Sequence, residues 1–306
     1  TVTVLKDGKL VSTEPIEALP TERLITLMVG RPLQALFPPR RSSAPGGVAL
    51  DVRSLTPMTN GPTASFSLRR GEIVGMGGLE GQGQREIVRA LAGAVRPWRS
   101  DILRTHRTGE TQAFDPGEGV VRIVEQGVGL IPEDRKLEGL YLDLSIQDNM
   151  WLGALRGMGL LRTAHRDGTV VAVIAKRMQL HARDLAQEVG ALSGGNQQKV
   201  MIGRWLAAGV DTLLIEQPTR GVDVGAKAEI YGLLREFADQ GGAVLALSSD
   251  LPELIGLCDR ILIVNGGCVM GCVEAEAATE ESLLALALAD VKTAQSARSE
   301  TQEVTA

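Results

Sequence analysis

The sequence predicts an α/β protein built around a mainly parallel sheet. Short apolar runs with strand character recur at 72–76, 128–131, 212–215 and 244–248. A helical pattern at 226–238 separates the last two, and a glycine-rich loop leads the first into a helix at 85–92. Apolar strands alternating with helices indicate a parallel sheet covered on both faces. The chain is 44% hydrophobic with 36 glycines among 306 residues, a balance that fits a globular α/β protein and excludes a disordered one.

Taken in order, residues 4–11 (VLKDGKLV) read as strand, tight Asp-Gly turn and strand, followed by an acidic helix at 17–28. The same pattern returns at 263–270 with a helix at 276–286. Placing Gly8 on Gly267 also aligns Glu17 with Glu276, Ala18 with Ala277, Glu22 with Glu281, Leu24 with Leu283 and Leu27 with Leu286. Self-similarity at one offset suggests duplication. Residues 1–31 are therefore expected to be the last hairpin and helix of a preceding copy. Residues 32–45, with Pro38-Pro39-Arg40-Arg41, read as a linker. The main domain is expected over 46–290, opening with strands at 48–52 and 64–68 and carrying a helical subdomain at about 140–195. The polar stretch 291–306 lacks apolar periodicity and is expected to be a disordered tail.

A formal net charge of −5 provides no electrostatic footprint for nucleic acid. No apolar run approaches the roughly eighteen residues of a membrane span. Three cysteines make no disulfide framework and suggest a reducing compartment. Cys268 and Cys272 are four apart, but no further Cys or His stands near them, so no metal site is expected there. His106, His165 and His181 share no spacing and read as surface or packing residues.

Three segments carry chemistry. In 192–199 (LSGGNQQK), Ser193 is a good N-cap and Gly194, Gly195 and Asn196 open an amphipathic helix anchored by Val200, Ile202, Trp205 and Leu206. Its first-turn N–H groups are expected to be uncapped and to point outward, which makes an anion site. In 71–85, the interval from Gly78 through Gly81 to Gly83 is that of a phosphate-binding loop. Gln84 stands where that loop has its lysine, and Arg85 where it has the magnesium-binding Ser or Thr. One place further along the helix, the Arg85 side chain is expected to point away from the phosphates. Alone, this loop fits a simple glycine-rich turn equally well.

The third segment, 213–223 (LLIEQPTRGVD), is an apolar strand delivering Glu216 beside the loop, where an acid normally orients magnesium and its waters. Gln217 follows. Its amide can hydrogen-bond an attacking water but cannot take its proton. Residues 247–251, including Ser249, end another strand at the same sheet edge, where ligands gather in such folds.

With these segments together, the chain resembles the nucleotide-binding subunit of ATP-binding-cassette (ABC) importers, most of all the second half of the duplicated ATPase of monosaccharide importers. The resemblance covers about residues 45–290 and rests on 192–199 and 218–231 (PTRGVDVGAKAEIY). It implies a P-loop NTPase fold of ABC type, with a central mainly parallel sheet, an antiparallel β subdomain and a helical signature subdomain. Gly78 to Arg85 then takes the place of the Walker A loop, and Glu133 that of the Q-loop glutamine. Glu216, the candidate magnesium ligand, and Gln217 occupy the Walker B aspartate and catalytic glutamate positions. Asp223 is the D-loop residue, Ser249 holds the switch-histidine position, and Ser193 to Asn196 belong to the signature. Gln84, Arg85, Gln217 and Ser249 depart from the active pattern; Glu216 departs more mildly.

The resemblance further implies ATP and Mg2+ as cofactors and a peripheral position on the cytoplasmic face of a bacterial inner membrane. The partners it implies are a first ABC domain or a second copy, an integral membrane permease met by residues 131–136 and the helices near Trp151, and, indirectly, a solute-binding protein. In the family, two nucleotide-binding domains meet head to tail, so the signature of one acts on ATP held by the other. An asymmetric ATPase is the expectation, with the signature here completing the partner's site. The alternatives are an inactive scaffold docking a permease and an ABC ATPase unrelated to transport. The transported solute is not legible.

Overall fold

The apolar runs become a six-stranded sheet whose central strands are buried along their whole length. The computed structural model describes residues 1–6, 9–29, 36–41, 44–154 and 168–289. In chain order, the elements begin with β1 (Val2–Lys6), β2 (Lys9–Glu14) and α1 (Thr21–Val29). Next come β3 (Val48–Thr56), β4 (Ala64–Arg69), β5 (Ile73–Gly77), α2 (Gln84–Leu91), β6 (Arg99–Thr105) and β7 (Thr111–Ala113). Then follow α3 (Val120–Glu125), β8 (Val128–Ile131), α4 (Ile146–Ala154), α5 (Gly168–Arg177) and α6 (Gly194–Ala207). The chain continues with β9 (Thr212–Glu216), α7 (Val224–Asp239), β10 (Ala243–Leu247), α8 (Leu251–Leu257), β11 (Arg260–Asn265), β12 (Cys268–Glu274) and α9 (Glu280–Leu288).

The main sheet runs β12-β11-β5-β10-β9-β8, parallel throughout except for β12 at its edge. Every residue of β5, β9 and β10 is buried. This two-sided cover is why these strands read as continuous apolar runs. A second, antiparallel sheet of order β4-β3-β6-β7 lies beside it. One core packs this second sheet, α2 and one face of the main sheet together; the other core holds α4–α9 on the opposite face.

The two sheets are joined by a buried charge. Arg104 of β6 is fully buried; it donates to Thr212 Oγ1 (2.8 Å), Gln126 O (3.0 Å) and Ala49 O (3.2 Å) and pairs with Asp211. β6 escaped sequence reading because this arginine turns inward, where an apolar residue would have marked a strand. Helices α3 and α8 were missed for shortness, and α8 also carries Pro252 in its first turn, behind the N-cap Asp250.

Within the expected helical subdomain at about 140–195 the structure has α4, α5 and the start of α6, while 178–188 is turn and coil and 155–167 lies outside the described residues. The tail 291–306 and His165 lie outside them too. Of the expected linker, 36–41 and 44–45 are described, and the part around Phe37 and Arg40 lies on the domain. Phe37 stacks on Tyr231 with ring centroids 4.9 Å apart, and Arg40 donates to Cys258 O at 3.2 Å.

The repeated pattern is also repeated in three dimensions. β1–β2 and β11–β12 are both antiparallel hairpins, each irregular at the same place, between Val4 and Leu5 in one and between Ile263 and Val264 in the other. The helices α1 and α9 fall at the same offset as Gly8 and Gly267. Both begin later than the acidic patterns at 17 and 276 suggested. Residues 16–18 form a 3₁₀ turn ahead of Pro20, and α9 waits for its N-cap, Thr279.

Candidate functional site

The loop between β5 and α2 is shaped by glycines in backbone conformations that other residues rarely adopt. Gly78, Gly81 and Gly83 adopt φ of 149°, 78° and 98°. A Cβ on Gly78 would strike Val264 O, and one on Gly83 would lie 2.7 Å from the Gly267 Cα. The β11–β12 turn holds the loop from behind: Gly267 N donates to Gln82 O (2.7 Å) and Gly266 N to Gln82 Oε1 (2.9 Å). Gln84 is buried and folds back into the loop, with Nε2 donating to Leu79 O at 2.7 Å. The backbone cradle of a phosphate loop is thus present without its lysine charge.

At the carboxyl ends of β5, β9 and β10 the loop borders a cleft of about 570 Å³, within the usual range of small-molecule sites. Gly78, Gly81, Gln84, Arg85, Glu133, Gln217 and Ser249 all line it. Gln217 sits at φ 47°, a left-handed conformation that is uncommon outside glycine, and its N–H donates to Leu247 O at 2.7 Å. Its Oε1 accepts from Ser249 N (3.2 Å) and Oγ (3.3 Å). The two residues at the catalytic-glutamate and switch positions are therefore hydrogen-bonded to each other.

Glu216 is 1% exposed and lies beneath this cleft. Its Oε1 accepts from Arg89 Nε at 2.8 Å, and its Oε2 from Arg89 Nη2 at 3.0 Å and from the Glu133 N–H at 3.1 Å. The carboxylate beside it raises the pKa of the Arg89 guanidinium, which stays charged. Arg85 also turns toward the acids, contrary to the expectation that it points away. Its guanidinium lies 3.6 Å from Glu133, 3.6 Å from Glu138 and 3.8 Å from Glu216.

This donor set does not fit a magnesium ion. The hydroxyl position is a guanidinium, and the buried Glu216 carboxylate is already engaged at both oxygens, so it is not arranged as the metal ligand the sequence suggested. Among the described residues no group of three or more His, Cys, Asp or Glu could hold a metal.

Sequence reading missed Arg89. Its only signal was the spacing of four from Arg85, which places both on one face of α2. It also missed Arg220, which pairs with Glu133, and Arg135. Arg135 donates to the carbonyls of Arg220 (2.7 Å) and Gly221 (3.1 Å) and to Gln197 Oε1 (3.2 Å).

Ser193, Gly194, Gly195 and Asn196, the residues expected to form the signature, do not line the cleft; they stand apart from it at the start of α6. Ser193 caps the helix by accepting from Asn196 N (3.4 Å) and Nδ2 (3.1 Å), so the first turn is not wholly uncapped as expected. The N–H groups of Gly194 and Gly195 precede any intrahelical acceptor. Gly195 presses on Ala226 of α7, leaving no room for a side chain. Asp223 caps α7, its Oδ1 accepting from Ala226 N at 3.0 Å. Trp151 is buried, whereas Leu137 and Tyr141 stand exposed nearby.

This fold and site define a nucleotide-binding domain of the ABC type. Solved structures agree on the fold: an ATP-binding subunit of an ABC transporter superposes with a TM-score of 0.60 at 21% identity, covering 81% of this chain and 98% of that one. A nucleotide-free ATP-binding cassette superposes at 0.63 and 17% identity, covering 80% of this chain and 97% of that one.

The ABC transporter family description matches residues 62–220, and the chain belongs to that family. It is 43% identical over 291 residues to an arabinose import ATP-binding protein (AraG 2) of Burkholderia thailandensis, covering 94% of this chain and 54% of that protein. It is 38% identical over 293 residues to a ribose import ATP-binding protein (RbsA) of Corynebacterium glutamicum, covering 95% and 54%. The chain spans about half the length of these relatives. Among the described residues, no helix is long and apolar enough to cross a membrane.

Proposed function

We propose that this chain is the second nucleotide-binding half of a sugar-import ATPase, and that its signature helix completes an ATP site whose Walker A loop lies in the first half. The observation that carries this reading is the contrast between the two motifs. The signature keeps its serine cap, its glycines and its unpaired amides. The Walker A cleft has lost its lysine, its hydroxyl and its catalytic carboxylate.

On this reading Ser193 and the amides of Gly194 and Gly195 bind the terminal phosphate of ATP held by the other domain, and the α6 dipole stabilises the charge there. The matching hairpin–helix units at the two ends of the domain support a tandem protein, as does the half-length match to import ATPases. The cleft of this half contributes little hydrolysis, because loss of a general base commonly costs about 10²–10⁴-fold.

The working assembly sits at the cytoplasmic face of a bacterial inner membrane and couples to a permease fed by a solute-binding protein. The exposed Leu137 and Tyr141, beside the Q-loop segment, support permease docking there. Arabinose and ribose import by the relatives points to a sugar or a similar small solute.

The test is ATPase activity of the full tandem protein carrying Ser193→Arg or, separately, Gln84→Ala. The first is expected to abolish most turnover and the second to leave it nearly intact. The reverse pattern would sink the assignment, and unchanged activity in both would favour a scaffold.

A further inference from the structure

Active P-loop sites hold magnesium between a Ser or Thr hydroxyl at the loop end and a Walker B acid. In this chain those positions are Arg85 and Glu216, with Arg85 Nε 3.8 Å from Glu216 Oε2. A hard divalent cation needs oxygen ligands, and a guanidinium offers only donors. Moreover, Glu216 is closed by the two-pronged contact from Arg89 and by the Glu133 amide.

We infer that the Walker A cleft of this domain binds the phosphates of a nucleoside di- or triphosphate without a divalent cation, Arg85 supplying the positive charge that the metal supplies elsewhere. This inference rests on the reading of the cleft as a nucleotide pocket.

The two arginines divide the task by how tightly each is held. Arg89 is committed: it makes short, paired hydrogen bonds to Glu216 and another to Glu138 at 2.9 Å. It neutralises the buried carboxylate that a cation would otherwise have to neutralise. Arg85 is 46% exposed, and its three carboxylate neighbours lie at 3.6–3.8 Å, outside hydrogen-bond distance. It can turn onto a phosphate without breaking a hydrogen bond, and its planar fork suits phosphate oxygens.

The surrounding charge permits this. Glu133, Glu138 and Glu216 are matched by Arg85, Arg89 and Arg220, so the wall beneath the phosphates is balanced. Lys227 and Asp250 oppose each other at 3.8 Å on the rim. Glu80, Glu86 and the buried Glu253 add three carboxylates to the lining, with Glu80 exposed and Glu253 held by the hydroxyls of Thr219, Tyr231 and Ser248. Against these stand the amides of the glycine loop, which favour an anion.

Isothermal titration of this chain with ATP, once in EDTA and once in excess MgCl2, tests the inference. The two dissociation constants are expected to agree within about threefold, and Arg85→Gln is expected to weaken binding in EDTA by about tenfold or more. Tightening by about tenfold or more on adding magnesium would overturn it, as would an Arg85→Gln variant that binds as well as the parent in EDTA. If Arg85→Gln fails to melt cooperatively, the parent's two titrations decide alone.

Absence of ATP binding in both buffers also overturns the inference. That result leaves the signature assignment standing, because Ser193→Arg in the tandem protein reads a different site.

Discussion

The Walker A cleft and the signature helix share one architecture, a loop closing onto a helix N-terminus, yet they have gone opposite ways. At the start of α6, side chains serve the backbone: Ser193 caps the helix and Gly195 lets it press on Ala226. At the cleft the backbone cradle survives, but side chains have filled the chemistry in. Gln84 bonds its own loop, Gln217 and Ser249 bond each other, and Arg89 occupies Glu216. Loop geometry and loop chemistry can therefore part company: glycine φ values preserve the first, and only particular side chains provide the second.

The largest expected effect breaks the cleft. Arg89→Ala strands the buried Glu216 carboxylate and should destabilise the domain by about 3–5 kcal/mol, read as a lowered urea midpoint at unchanged slope. A change under about 1 kcal/mol would mean that solvent or Arg85 replaces the lost partner.

Next comes the signature. Ser193→Arg should lower ATPase of the tandem protein by roughly 10²–10³-fold, the usual loss when a phosphate-facing donor is removed, far more than the roughly 1 kcal/mol of stability lost with the cap would explain. A smaller effect follows from the cap. Ser193→Ala removes the acceptor for Asn196 N and should cost about 1 kcal/mol in denaturant unfolding.

The smallest effect is the most pointed one. Gln217→Glu restores a carboxylate at the general-base position, yet ATPase of this chain should not rise, because Arg85 and Arg89 still occupy the metal's place. A clear gain in steady-state phosphate release would show that the missing base was the sole defect of the cleft.

How far the sequence could be read depended on the range of the interaction involved. β5, β9 and β10 were legible because two-sided burial writes an uninterrupted apolar run, and α6 because its cap and glycines are adjacent. The repeated hairpin–helix pattern was legible because it repeats residues at one spacing, and the two hairpins share an irregularity at that same offset. β6 was not legible, since Arg104 answers to Asp211 and Thr212, more than a hundred residues away. Arg85 was misjudged for a similar reason: helix geometry gives a direction for the side chain, but the acids that draw it come from other elements.

The sequence by itself determined the fold class and the order of glycine-rich loop, capped helix and acid-bearing strand, because strand burial, glycine turns and helix caps are local properties of the chain. Only the tertiary structure decided which side chains meet around Glu216. Arg89 and Glu216 are 127 positions apart and meet because α2 crosses the end of β9. Their pairing depends on that tertiary arrangement and not on neighbouring sequence. It engages both oxygens of the buried carboxylate and balances its charge.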